Sequence, residues 1–163
     1  MTMTHTTETR AAFSKILNDE IEQTQRLLDL LRKEYELLKG PPTETLEALL
    51  DEKKRQLEQV ELCVSRHNRL LSQFGLTTDR QGTENFLQQC PDNAPLLTRW
   101  AQFTELLEQC RQQNEINGGA VQLNQHQVTQ ALDVLRGIAG GDKTYGPGGE
   151  SRPTSTSKSL GKA

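Results

Sequence analysis

Aromatic side chains are scarce: four phenylalanines, two tyrosines and a single tryptophan, Trp100, in 163 residues. Hydrophobic residues make up only 33% of the chain, against 25% charged. That stock cannot fill a wide globular core. It can fill the seam of a helical bundle, which needs only a thin apolar stripe on each helix. An excess of basic residues is also missing. The formal net charge is −3 with both signs interspersed, which leaves no footprint for nucleic acid. No apolar run is long enough to cross a bilayer. The stretch from Met1 to Thr7 has neither the positive region nor the apolar segment of a secretory signal. Work in the cytosol is expected, with no direct membrane insertion and with any membrane reached by docking on something there.

The cysteines, Cys63, Cys90 and Cys110, are an odd set without close spacing. A reducing compartment and a role as small hydrophobes are the simplest reading, with a redox role the alternative. There is no Gly-rich phosphate loop, no paired-cysteine zinc spacing and no nucleophile elbow. His67 falls at a seam position, where a packed, hydrogen-bonded histidine is commoner than a ligand. His126 falls in a first helical turn and His5 near the terminus. No enzyme activity, cofactor or metal is expected.

What is present is helical periodicity. Phe13, Leu17, Ile21, Thr24, Leu28, Leu31, Tyr35 and Leu38 recur at intervals of three and four, which predicts a helix over about 8–39. Glu22 with Arg26, and Asp29 with Lys33, support its exposed face. Gly40-Pro41-Pro42 stops it, and Thr43 can cap the next helix. Leu46, Leu50, Lys53, Leu57, Val60, Val64, His67, Leu71 and Phe74 keep an unbroken four-three rhythm, the mark of coiled-coil packing. The short turn makes the two helices antiparallel. Expected layers pair Leu38 with Leu46, Leu31 with Lys53, Leu28 with Leu57, Thr24 with Val60 and Leu17 with His67. Lys53 should lay its stem along the seam and keep its amine in water. Leu27, Leu30, Leu49, Leu62 and Leu70 widen the stripe, so the hairpin should accept a further helix.

Gly75 ends the second helix. A short helix is predicted over about 83–90, broken by Pro91 and Pro95. A third long helix follows over about 94–115, with Leu96, Trp100, Phe103, Leu107 and Cys110 as its stripe. Asn114, Asn117 and Gly118 should end it and turn the chain, asparagine and glycine being able to take the left-handed conformation. Asn124 then reads as an N-cap, with Gln127 at the third helical position and Leu123 and Val128 at the staple positions. The helix it opens carries Val128, Ala131, Leu132 and Leu135 and fades at Gly137, Gly140 and Gly141. Composition divides the chain into a disordered N-terminus at 1–7, a helical domain at 8–141 and a tail at 142–163 too poor in apolar residues to order itself. The expected fold class is all-α: a long antiparallel hairpin with a third long helix and a C-terminal amphipathic helix packed as a bundle.

Asn114, Asn117-Gly118 after a long helix, an amphipathic helix near 124–136, and Tyr145-Gly146-Pro147-Gly148-Gly149 in the tail together resemble the FlgN family of flagellar export chaperones. The resemblance spans nearly the whole chain and is most specific after Cys110. It implies a substrate-specific chaperone of flagellar type III export. Such a protein binds the hook–filament junction proteins FlgK and FlgL and delivers them to the membrane export gate. It also implies that the C-terminal amphipathic region engages the cargo and that a tail tyrosine, here Tyr145, docks on the cytosolic domain of the gate protein FlhA. Leu123, Val128, Leu132 and Leu135 can pair with a partner's amphipathic helix, or pack on the chain's own bundle. Tyr145 suits docking because tyrosine supplies a large contact at low entropic cost; otherwise it is an incidental tail aromatic. A coiled-coil adaptor self-assembling through the hairpin seam is the competing class.

Overall fold

The computed structural model describes the backbone of residues 7–118 and 122–139, and side chains over 7–118 and 129–138. The fold is all-α. The helices are α1 (Thr7–Leu38), α2 (Glu44–Gln73), α3 (Arg80–Gln89), α4 (Ala94–Asn117) and α5 (Gln122–Ala139). The side chain of Thr43 accepts from the Leu46 amide and caps α2, as expected. Gly75 ends the same helix in the left-handed region at φ 67°, which only glycine adopts without strain.

Cross-links fix the helix directions. Glu34 meets Lys53 and Glu20 meets His67, so α1 and α2 are antiparallel, in the expected register to within one turn. Arg10 donates to the Asp92 carbonyl, Arg99 to Ser14, and Asn117 to the Leu31 carbonyl. Helix α4 therefore runs parallel to α1, and α3 is the crossover that makes this possible. Helix α5 packs chiefly on α4 and also touches α2 and α3. The few large aromatics are concentrated where α3 crosses. All four phenylalanines and Trp100 gather there around His67, with Phe13 and Phe86 at 4.7 Å and Trp100 and Phe103 at 5.9 Å between ring centres.

Several boundaries and faces differ from expectation. Helix α3 begins three residues early, because Asp79 accepts from the Gly82 amide at 2.8 Å and caps it. Gly82 is a weak helix former, yet it is needed. A Cβ there would lie 1.7 Å from the Thr77 carbonyl oxygen. Gly82→Ala is thus expected to displace the crossover and cost at least about 1–3 kcal/mol, read from urea unfolding. Tyr35 and Leu62, expected on the apolar stripes, are exposed; at that end of α1, Glu34 turns inward instead and the Lys39 amine covers the Tyr35 ring. Glu22 and Arg26 pair at 2.5 Å, while Asp29 accepts from Gln25.

Lys53 also departs from expectation. Its amine is not in water: the side chain is 3% exposed and its Nζ lies 2.7 Å from Oε1 of Glu34. Glu34, three residues past Leu31 on α1, supplies an internal partner that the expected layer lacked. The arrival of α4 then seals the pair.

Candidate partner-binding surface

The end of α4 is where the bundle closes. Asn117, predicted to turn the chain, is the last residue of α4 and is buried. Its Nδ2 donates to the Leu31 carbonyl at 2.7 Å and to Oε2 of Glu34 at 3.1 Å. Glu34 thus accepts from both Lys53 and Asn117, and one carboxylate joins α1, α2 and α4. Asn114, three residues earlier, reaches Thr129 on α5 at 3.5 Å. Asn114 and Asn117 therefore brace helices rather than form the turn, because a buried amide is better satisfied by these partners than by a local cap. Gly118 caps α4 in an extended conformation, φ −67° and ψ 128°, not a left-handed one.

A second polar cluster sits at the other end. His67 is fully buried. Its Nδ1 lies 2.8 Å from Glu20 Oε1 and its Nε2 2.9 Å from Thr83 Oγ1, so both ring nitrogens are engaged in linking α1, α2 and α3. Burial pushes the Glu20 carboxyl above its ordinary 4.5, partly opposed by His67. The folded state therefore holds this proton more tightly than the unfolded one. Its contribution to stability is complete below the unfolded value and declines as pH rises through the raised one. Glu20→Gln removes that decline, so the variant's urea midpoint should gain on the wild type as pH rises above the ordinary value of 4.5. The three thiols are buried. Desolvation pushes that of Cys110 up to about 12 and raises those of Cys63 and Cys90. All three are packing residues in this environment.

Helix α5 carries most of the residues predicted to meet a partner. It starts at Gln122, two residues before the predicted cap, so Asn124 lies inside the helix. Gln122 and Leu123 are good helix formers, which lets the helix extend back past the asparagine. The side chains of Leu123 and Val128 lie outside the described residues, as does Tyr145 altogether. Leu132 and Leu135 are buried, 4% and 1% exposed, in the same core as Phe103 and Leu107. Ile138 is fully buried as well. Its burial holds the helix to Ala139, within the 137–141 stretch where fading is expected.

The open side of α5 is a different one. Val134 is 55% exposed and borders a groove of about 620 Å³ between α5 and α2, with Leu57 and Ala131 in its floor. Glu58 and Glu61 on α2 and Asp133 on α5 line it, with Lys54 as its base. Sequence reasoning missed Val134 because it falls off the 128, 131, 132, 135 stripe. An apolar residue just outside a helix's buried face was the available signal.

With this geometry in place, the comparisons decide the family. The sequence model of the FlgN protein family matches residues 2–153. This chain belongs to the FlgN family. A crystal structure assigned as a flagella synthesis protein FlgN from Pseudomonas aeruginosa is 29% identical, with a TM-score of 0.68 over 76% of this chain and 95% of that one. None of the curated proteins matches. As a FlgN-family member this chain is a flagellar synthesis protein. Among the described residues no helix is long and apolar enough to cross a membrane.

Proposed function

We propose that this FlgN-family chain is a non-catalytic cytosolic chaperone of flagellar type III export. It binds the hook–filament junction proteins FlgK and FlgL, keeps them from aggregating before secretion and delivers them to the export gate. The family match over residues 2–153 carries this reading. The structure supports it in one respect: the bundle closes its own core and still leaves an apolar edge on its last helix, at Val134.

Cargo contact is assigned to α5, with Leu123 and Val128 toward its start. Leu132 and Leu135 reach a partner only if α5 lifts from α4 and exchanges its own burial for burial against cargo. Tyr145 is assigned to the cytosolic domain of FlhA. The rival adaptor needs a hairpin seam free for a second copy. Here Leu28, Leu31, Leu57 and Val60 are already buried within one chain.

Co-purification with FlgK and FlgL, each with and without its terminal helices, tests the reading. Discrete complexes that need those helices are expected; absence of any complex sinks it. Deleting residues 142–163 should weaken capture by the FlhA cytosolic domain and leave cargo binding nearly intact. Loss of cargo binding on that deletion would show the division of labour to be wrong.

A further inference from the structure

The groove between α2 and α5 has an outer lining that the bundle's own packing leaves exposed. Its floor is the edge of the core, where Leu57 and Ala131 are already buried, and Val134 stands exposed at its rim. Its charged lining is three carboxylates, Glu58, Glu61 and Asp133, against one amine, Lys54. None of these four forms an ion pair among the described residues. On α2 the lining falls at 54, 57, 58 and 61, which is one helix face over about two turns. Leu62 follows directly, 51% exposed. Two helices flanking a groove of this length, with a polar lining and an exposed valine at its rim, form the receptor half of a helix-in-groove contact.

We infer that this groove is a docking site for an amphipathic helix whose apolar stripe is flanked by lysine or arginine, and, resting on the chaperone reading, that such a helix is the cargo element it receives. The acidic lining selects the sign of the flanks. Apolar contact at the exposed Val134 supplies affinity, and the carboxylates supply specificity and a salt-sensitive association rate. On this assignment α5 need not leave the bundle. The cargo lies across its outer edge while Leu132 and Leu135 hold it from within.

The test uses the full chain and two synthetic helical peptides with the same apolar stripe at i, i+3, i+4 and i+7, one flanked by lysines and one by glutamates. Fluorescence anisotropy should give at least about tenfold tighter binding of the lysine peptide, narrowing as salt rises. Glu61→Lys with Asp133→Lys should invert that preference, and Val134→Asp should weaken both peptides by about tenfold. All these side chains are exposed except for the groove floor, which is untouched, and circular dichroism checks that the bundle persists. Equal binding of the two peptides, or a preference that survives the charge reversal, overturns the inference. So does concentration-dependent dimerisation that Val134→Asp abolishes, since a second copy would then fill the groove. Carboxyl–amine cross-links from Glu58 or Glu61 to lysines beyond residue 142 that the lysine peptide cannot displace would overturn it too, in favour of the chain's own tail. The junction proteins separate the two levels. If FlgK and FlgL bind the charge-reversed chain as well as the wild type, the groove assignment fails and the chaperone reading stands. If neither binds the wild type, the chaperone reading fails whatever the peptides do.

Discussion

Lys53→Met is expected to destabilise the protein by about 3–5 kcal/mol, because it strands a buried carboxylate. Glu34 and Lys53 have side chains only 4% and 3% exposed and meet at 2.7 Å. Without the lysine, Glu34 keeps, among the described residues, only the Asn117 amide as a side-chain partner. A neutral amide offsets little of the desolvation of a charge. Replacing both members, Glu34→Leu with Lys53→Met, should recover most of the loss and can exceed the wild type, since a well-packed apolar pair carries no desolvation penalty. Urea unfolding followed by circular dichroism measures all three proteins. A single-variant cost under about 1 kcal/mol would mean that the pair is hydrated in solution. The same carboxylate holds the last turn of α4, so the single variant should also raise hydrogen exchange around Glu115–Asn117 more than its global loss explains.

The second large effect separates the inner face of α5 from its outer one. Leu135 is 1% exposed and Val134, its neighbour, is 55% exposed. Truncating a leucine so buried costs about 2–5 kcal/mol. Leu135→Asp adds an unpaired buried charge and should cost at least that much. Amide protection in α5 should collapse first, since α5 is joined to the rest mainly through α4. Val134→Asp should stay within about 0.5 kcal/mol of the wild type. Leu132→Asp belongs with Leu135→Asp: at 4% exposure it should destabilise the helix, not merely weaken a partner. If Leu132→Asp and Leu135→Asp leave stability unchanged, α5 is detached in solution and its stripe is free for cargo.

Much of the candidate surface was not legible before the helices were assembled. The apolar stripe of α5 is read correctly from Ala131, Leu132 and Leu135, but a stripe of that width looks the same whether it meets a partner or the chain's own core. Val134 becomes noticeable only once α4 has taken the stripe. The groove likewise joins residues more than seventy positions apart, and no local pattern relates Glu61 to Asp133. Asn114 and Asn117 carried a turn signal because asparagine is a common helix terminator. Their amides were instead drawn into long-range bonds to Leu31, Glu34 and Thr129.

Residue order by itself determined the all-α class, the extents of α1, α2 and α4 to within two residues, the antiparallel hairpin and its register to within one turn. These rest on periodicity, on the Gly40-Pro41-Pro42 stop and on the Thr43 cap, all of which act within a few residues along the chain. Only the tertiary structure decided that α4 runs parallel to α1, that α3 starts at an Asp79 cap with Gly82 pressed against Thr77, and that Lys53 and His67 are buried with acidic partners from α1. Those outcomes depend on which faces meet across the bundle. Desolvation then obliges each enclosed polar group to take whatever partner the neighbouring helix presents.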